Sequence, residues 1–240
     1  MFCIDIDKNE VDIMPYGKVK LLGVFGDELT IIESAKISYY KEDNLEKYKN
    51  DPNAVKDFIS RLLSREHTSP FEHVEARFHL EMPIFVQRQH IRHRMASCNE
   101  ISGRYTVMDC NFYIPPFDRL EKTDSYIDKS KYEEDVKKIT EYYEKTKEFY
   151  EYLLERGYDK ELARTILPLS TYTSMYWKID FNNLLFRYFN RRLLKSSQFE
   201  IRQIAKAMFL LLEDKFPNLF SAYREWLNSK YPGNIDSEII

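Results

Sequence analysis

Between Met82 and Tyr105 the chain carries four arginines (Arg88, Arg92, Arg94, Arg104), two histidines (His90, His93) and one acid, Glu100. The whole protein of 240 residues has a formal net charge of -3, so this is a local positive field in a slightly acidic molecule. Arginine grips phosphates and carboxylates with two parallel N–H bonds, which lysine cannot do. The stretch Arg92 to Tyr105, RHRMASCNEISGRY, therefore reads as an anion-binding segment. Gly103 is the only glycine between Gly26 and Gly157, which marks a place where a side chain is unwelcome. A surface helix with solvated arginines is the alternative that composition leaves open.

Spacing divides the cluster. Pro83 suits the first turn of a helix, and Ile84, Arg88, Ile91 and Met95 follow at helical intervals. Successive residues on a helix point about 100° apart, so Arg92, His93 and Arg94 fan around its end and reach two different bound groups. Gln89 shares a face with Arg92 and His93. All five histidines lie between His67 and His93, but there is no HExxH and the nearby arginines repel a divalent cation, so no metal is expected. Cys98 reads as a small buried thiol. Ser102 lacks an obvious general base and reads as a hydrogen-bonding residue, not an attacking one. Neither GxGxxG nor a P-loop occurs, which argues against a Rossmann cofactor domain.

The pattern RHRxxSxNxxSxRY resembles the signature of flavin-dependent thymidylate synthases, with every fixed position filled: Arg92, His93, Arg94, Ser97, Asn99, Ser102, Arg104 and Tyr105. HTSPFEH (His67 to His73) before it and FYIPP (Phe112 to Pro116) after it agree. The resemblance implies reductive methylation of dUMP to dTMP, with methylenetetrahydrofolate as carbon donor and FAD, re-reduced by NADPH, as hydride carrier. It implies FAD contacts at His67, Ser69, Arg92, His93, Arg94, Asn99, Glu100, Asn182 and Arg187. It implies dUMP contacts at Gln89, Arg92, Glu100, Ser102, Gly103, Arg104, Arg164 and Arg192. Arg192 and Ser102 are the expected catalytic positions, with Arg192 stabilising charge on the activated uracil. One extra residue near Asp180 to Asn183 makes Arg191 a rival for that place, and Leu193-Leu194 stand where the family often has an acid. A homotetramer with shared active sites is also implied.

The elements that must position these residues are legible from periodicity. Lys18 to Phe25 reads as a strand closed by Gly26, and Asp27 caps a helix after it. Asp51-Pro52 opens another helix, which the His67-Thr68-Ser69-Pro70 break ends. Val74 to Leu80 alternates as a strand with one wet face. Val107 to Tyr113 reads as a strand, and Arg119 to Lys131 as a polar loop. Tyr132 to Leu153 forms a long amphipathic helix that Gly157 ends. Leu167 to Ile179 reads as a strand and Phe181 to Leu194 as a helix. Ser197 and Glu200 have capping-box spacing ahead of the last helix assigned. Helices outnumber strands without strict alternation, so the expected class is α+β: one domain over residues 1–240, a mixed sheet flanked by several helices.

Composition excludes other classes. The net negative charge argues against bulk nucleic-acid binding. The longest apolar run, Ala207 to Leu212, is too short to span a membrane. Three scattered cysteines and an acidic N-terminus suit a reducing, cytoplasmic setting. A non-catalytic nucleotide-binding module and a single-stranded nucleic-acid binder are the competing functional readings.

Overall fold

Alternation of apolar and polar side chains builds a sheet with one dry face. The computed structural model describes residues 4–5, 9–37, 45–121, 128–236 and 239. Its strands are β1 (Ile4–Asp5), β2 (Glu10–Ile13), β3 (Gly17–Phe25), β4 (Glu75–Pro83), β5 (Ser97–Glu100) and β6 (Tyr172–Asp180), in the order β1-β2-β3-β4-β6-β5. Ala76, Phe78, Leu80 and Met82 of β4 are buried, whereas Arg77 between them is exposed. Met175, Trp177 and Ile179 repeat the pattern on β6, with Tyr176 exposed. Such alternation is what a period of two demands when one face is covered.

Helices cover the dry face. The helices are α1 (Glu28–Lys36), α2 (Glu46–Asn50), α3 (Pro52–Ser64), α4 (Ile84–His90), α5 (Phe117–Glu121), α6 (Lys129–Glu155), α7 (Lys160–Ala163), α8 (Phe181–Asn183), α9 (Asn190–Arg192), α10 (Phe199–Glu213) and α11 (Pro217–Lys230). Of these, α6 and α7 are set apart from the hydrophobic core. Asp27 and Asp51 cap α1 and α3 as their positions predict, each accepting a backbone N–H three residues on. The central helix is α10, whose Ile201, Ile204, Ala205, Met208, Phe209 and Leu212 are buried. It packs on β2, β3 and α11, and α11 packs in turn on α3.

The class is α+β, but every strand pairing is antiparallel, where a mixed sheet was expected. Phe25 at the end of β3 sits opposite Glu75 at the start of β4. The helical excursion between them thus returns to the end of the sheet that it left, which reverses the strand direction. Val107 to Tyr113 is not a strand. Phe112 makes one bridge to Thr171, and the Met108 N–H turns to the Tyr150 hydroxyl (3.2 Å) instead of to a ladder partner. Arg119 lies in α5 and Lys129 to Lys131 in α6, so the described ends of the expected loop are helical. Residues 122–127 of that stretch lie outside the described residues, as does Cys3. The capping box at Ser197 and Glu200 does not form. Gln198 takes the N-cap position and makes no side-chain capping bond; its amide donates instead to the Glu200 carboxylate, which Tyr113 and Arg119 also hold.

Phe220 is fully buried, with Phe209 edge-on at 4.7 Å and the Phe189 ring at 6.3 Å. Phe220→Ala should lower the unfolding free energy by about 3–5 kcal/mol, the cost of a large cavity where α10 and α11 meet. Urea melts of both proteins check this.

Candidate active site

The helix entering the arginine cluster is shorter than its apolar spacing suggests. α4 stops at His90, with Ile91 as its C-cap, and the chain tightens through Arg92 N–H to Gln89 O (3.3 Å) and His93 N–H to His90 O (3.2 Å). Ser97–Glu100 then joins the sheet edge as β5, with Asn99 opposite Tyr176. Ladder bonds outweigh helical propensity here, and the turn between helix and strand is what fans the cations. Arg92 and Arg94 are exposed and His93 half-buried.

These three residues line a cleft of ≈ 500 Å³, which Glu72, Asn182 and Arg187 complete. Arg92, Arg94 and Arg187 form no ion pair among the described residues, so the cleft is strongly electropositive. Asn182 donates to the Glu72 carboxylate at 2.9 Å. The expected contacts Arg92, His93, Arg94, Asn182 and Arg187 therefore converge. His67 and Ser69 do not join them. They line a second cleft of ≈ 660 Å³ with Arg61 and Arg65, where the short 3-10 helix Ser69–His73 lies between the two: its start lines one and Glu72 the other.

Arg192 sits behind His93. Its side chain is buried, donating Nε–H to His93 Nε2 (3.0 Å) and Nη2–H to the Gln89 carbonyl (3.0 Å), while Arg191 is exposed. The reason lies upstream. Leu184–Phe189 is a π-helix between α8 and α9. A π turn holds one residue more than an α turn, so it takes up an extra residue and rotates everything after it. Of the two neighbouring arginines, Arg192 is the one that faces His93.

The Arg192–His93 bond fixes a protonation state. Nε2 can accept only if it carries no proton, so His93 is neutral here. Burial, then the charges of Arg192 and Arg191, depress its pKa to about 4. His90 is fully buried and depressed to about 3 by burial, with smaller contributions from His93 and Arg192. Its Nδ1 meets the Tyr188 hydroxyl at 2.9 Å, and its ring stands edge-on to Trp177 with centroids 4.3 Å apart. Burial also removes Arg192 from water and lowers its pKa.

Four further groups complete the picture. Glu100 accepts from Gln87 (2.7 Å) and Thr173 (2.6 Å), which fixes its carboxylate. Gln89 donates to Gln198, and Gln198 donates to the buried Glu200 (2.8 Å). Gly103 is buried beside Arg164: a Cβ there would lie 2.9 Å from Arg164 Cδ and 3.1 Å from Met108 Sδ, which explains the lone glycine. Ser102 Oγ accepts from the Arg104 N–H (3.3 Å), and Arg104 Nε donates to Glu161 (2.9 Å). Among the described residues no hydrogen bond joins the Ser102–Arg104 turn to the arginine cleft. Cys98 is exposed on β5, not buried as expected, because the whole edge strand faces outward.

Comparison with known proteins now decides the family. The family model described as thymidylate synthase complementing protein matches residues 20–218. A flavin-dependent thymidylate synthase of Kosmotoga olearia is 36% identical over 232 residues, covering 94% of this chain and 96% of that protein. The chain belongs to the flavin-dependent thymidylate synthase family. The namesake from Thermotoga neapolitana is 34% identical over 230 residues, covering 96% of this chain and 100% of its own. A solved UMP/dUMP methylase, PolB from Streptomyces cacaoi bound with 5-Br dUMP, superposes with a TM-score of 0.77 at 29% identity, covering 87% of this chain and 95% of its own.

Several residues that shape this family member's cleft escaped the sequence reading. Glu72 lay within the quoted HTSPFEH segment but carried no role until Asn182 was seen to reach it. Tyr188, Gln87 and Thr173 act only through partners distant in sequence, and no local pattern marks such pairs. Arg61 and Arg65 were readable as a helical pair.

Two outcomes follow. Gly103→Ala should weaken nucleotide binding by displacing Arg164, with thermal stability little changed, since a flexible side chain can yield; calorimetric titration with dUMP and a melting curve measure the two. The second concerns pH. His90 and His93 stay neutral in the fold but take protons in the unfolded chain below its pKa of about 6.5. Above that pH they leave stability unchanged; as pH falls from about 6.5 toward the folded values of about 4 and about 3, stability is lost. One buried histidine gives a slope of at most about 1.4 kcal/mol per pH unit. His90→Phe should remove that share of the slope between pH 6.5 and 5 in urea unfolding.

Proposed function

We propose that this chain, acting as one domain over residues 1–240, methylates dUMP to dTMP with methylenetetrahydrofolate as carbon donor and FAD as hydride carrier, NADPH restoring the reduced flavin. The observation that carries this reading is the buried guanidinium of Arg192, whose hydrogen-bond partners are both neutral. A buried cation without a counter-ion is expensive, so the site favours a ligand that brings or develops negative charge. A pyrimidine made anionic during activation fits that demand.

Three exposed guanidiniums, Arg92, Arg94 and Arg187, around a ≈ 500 Å³ cleft suit the diphosphate of FAD without a glycine-rich loop. His93, Asn99, Glu100 and Asn182 complete this set, with His67 and Ser69 reaching it from the neighbouring cleft. When bound, the flavin supplies the hydride chemistry. On the nucleotide side, Arg104 and Arg164 take the phosphate, Gly103 leaves room for the Arg164 stem, and Gln89, Arg92, Glu100 and Ser102 orient the ring and ribose. Ser102 has no base in hydrogen-bonding contact among the described residues, in keeping with an orienting part. Arg192 stabilises the charge that grows on the uracil.

A homotetramer with shared sites is part of the same reading. On α6 only Thr146 and Tyr150 are buried, while Tyr142, Phe149 and Tyr152 stand 59%, 50% and 50% exposed. Their spacing puts the three on one face, which a second copy would cover.

The test times both half-reactions in alanine variants. Arg192→Ala should bind FAD and accept hydride from NADPH, yet lose dTMP formation by at least about a hundredfold, the scale of one charge-stabilising contact. Arg191→Ala should stay within about tenfold of the parent. A parent protein that takes up no FAD, or an Arg192→Ala variant that still methylates dUMP, defeats the proposal.

A further inference from the structure

The ≈ 660 Å³ cleft beside His67 and Ser69 holds two cations that neither the motif nor the nucleotide and flavin assignments use. Arg61 lies in the last turn of α3 and Arg65 is its C-cap, whose N–H returns to Arg61 O at 3.3 Å, so the two stand one turn apart at the helix end. Neither forms an ion pair among the described residues. The acid next to them, Glu66, is already taken: its carboxylate lies 2.9 Å from Lys230 Nζ. Glu66 also adopts a left-handed backbone (φ 52), and the His67 N–H closes back onto Leu62 O at 2.9 Å. This turn ends α3 and sets His67 beside the two arginines. The Arg61 guanidinium lies over the Phe58 ring, 5.5 Å from its centre, which limits its freedom.

We propose that Arg61 and Arg65 form an additional anion subsite that takes the two carboxylates of the folate glutamate tail. The inference rests on the functional reading above, and charge accounting supports it. The nucleotide phosphate has Arg104 and Arg164, and the flavin diphosphate has Arg92, Arg94 and Arg187. Folate is the remaining extended anion that must reach the reacting pyrimidine, and Arg61 and Arg65 are unspent cations bordering the same 3-10 turn. Two guanidiniums a helical turn apart suit two separate carboxylates better than one compact phosphate.

Equilibrium dialysis of the full-length, FAD-loaded protein tests this without turnover, using folate and pteroate, which lacks the glutamate. The parent should prefer folate by at least about tenfold, the scale of one or two charge-assisted contacts. R61A/R65A should lose that preference while retaining its FAD, and R61K/R65K, which keeps charge without the fork, should recover part of it. A parent that binds both ligands equally, or a double alanine variant that keeps the preference, overturns the subsite. Loss of FAD retention or of NADPH binding, with the folate preference intact, overturns it too and hands the arginines to those ligands. A parent that prefers folate but forms no dTMP speaks against the proposed reaction and not against the subsite.

Discussion

The arrangement depends on a buried positive charge left without an acid. Among the described residues Arg192 is bonded only to the neutral His93 ring and to a backbone carbonyl, and its exposure is 8%. Desolvating a guanidinium costs several kcal/mol unless something compensates, and here the compensation is partial. The fold meets that cost with its aromatic core. The ring of Tyr188 lies 4.7 Å from that of His93, and Trp177 and His90 pack in turn on Tyr188. These contacts hold His93 as a neutral acceptor and so hold Arg192 in place. A protonated His93 would repel Arg192 and turn its acceptor nitrogen into a donor. The depressed histidine pKa values and the orientation of the arginine thus have one origin.

The π-helical segment Leu184–Phe189 is the second requirement. It carries Tyr188 to His90 and turns Arg192 inward while Arg191 points to solvent. Downstream, the bridge between Leu194 and Ile235 and the bond from the Asp236 N–H to Leu193 O (3.2 Å) hold the chain just after Arg192. Arg202 and Lys206 of α10 meet the Asp236 carboxylate at 3.1 and 3.4 Å. The arginine is therefore fixed from both sides of the sequence, as a preorganised charge must be if it is to act without reorganising.

Much of this was legible before any coordinates. Period-two alternation located β4, the closing Gly26 located β3, a run rich in Thr, Tyr and Trp marked the stretch that holds β6, and two Asp caps located α1 and α3, because such signals are local. The failures were non-local. β5 was missed since Ser97 to Glu100 has no apolar alternation and is held by its partner strand alone. Cys98 was misjudged for the same reason: a cysteine on an unseen edge strand cannot be called buried or exposed. The expected capping role of Glu200 gave way to Tyr113 and Arg119, 87 and 81 positions away in sequence. The motif named Arg92, His93 and Arg94 of the first cleft, but the division of the expected residues between two clefts required the turn at Ser69–His73 to be seen.

Glu200 poses the sharper question, because a buried carboxylate within reach of a relay to the site could have neutralised Arg192. Burial alone would raise its pKa, yet hydrogen bonds from its own backbone N–H, Gln198, Arg119 and Tyr113 outweigh this and hold it below the ordinary range. It is ionised, and its charge is spent on Arg119 at 2.9 Å. Only neutral amides continue from it toward the site, through Gln198 to Gln89. The two buried charges of this region are thus kept in separate networks that share no ion pair. A direct Glu–Arg pair would stabilise both and extinguish the field that the arginine projects. Keeping them apart leaves Glu200 as a rigid anchor for α10 and the Tyr113–Arg119 segment, and leaves Arg192 with charge still available to a substrate.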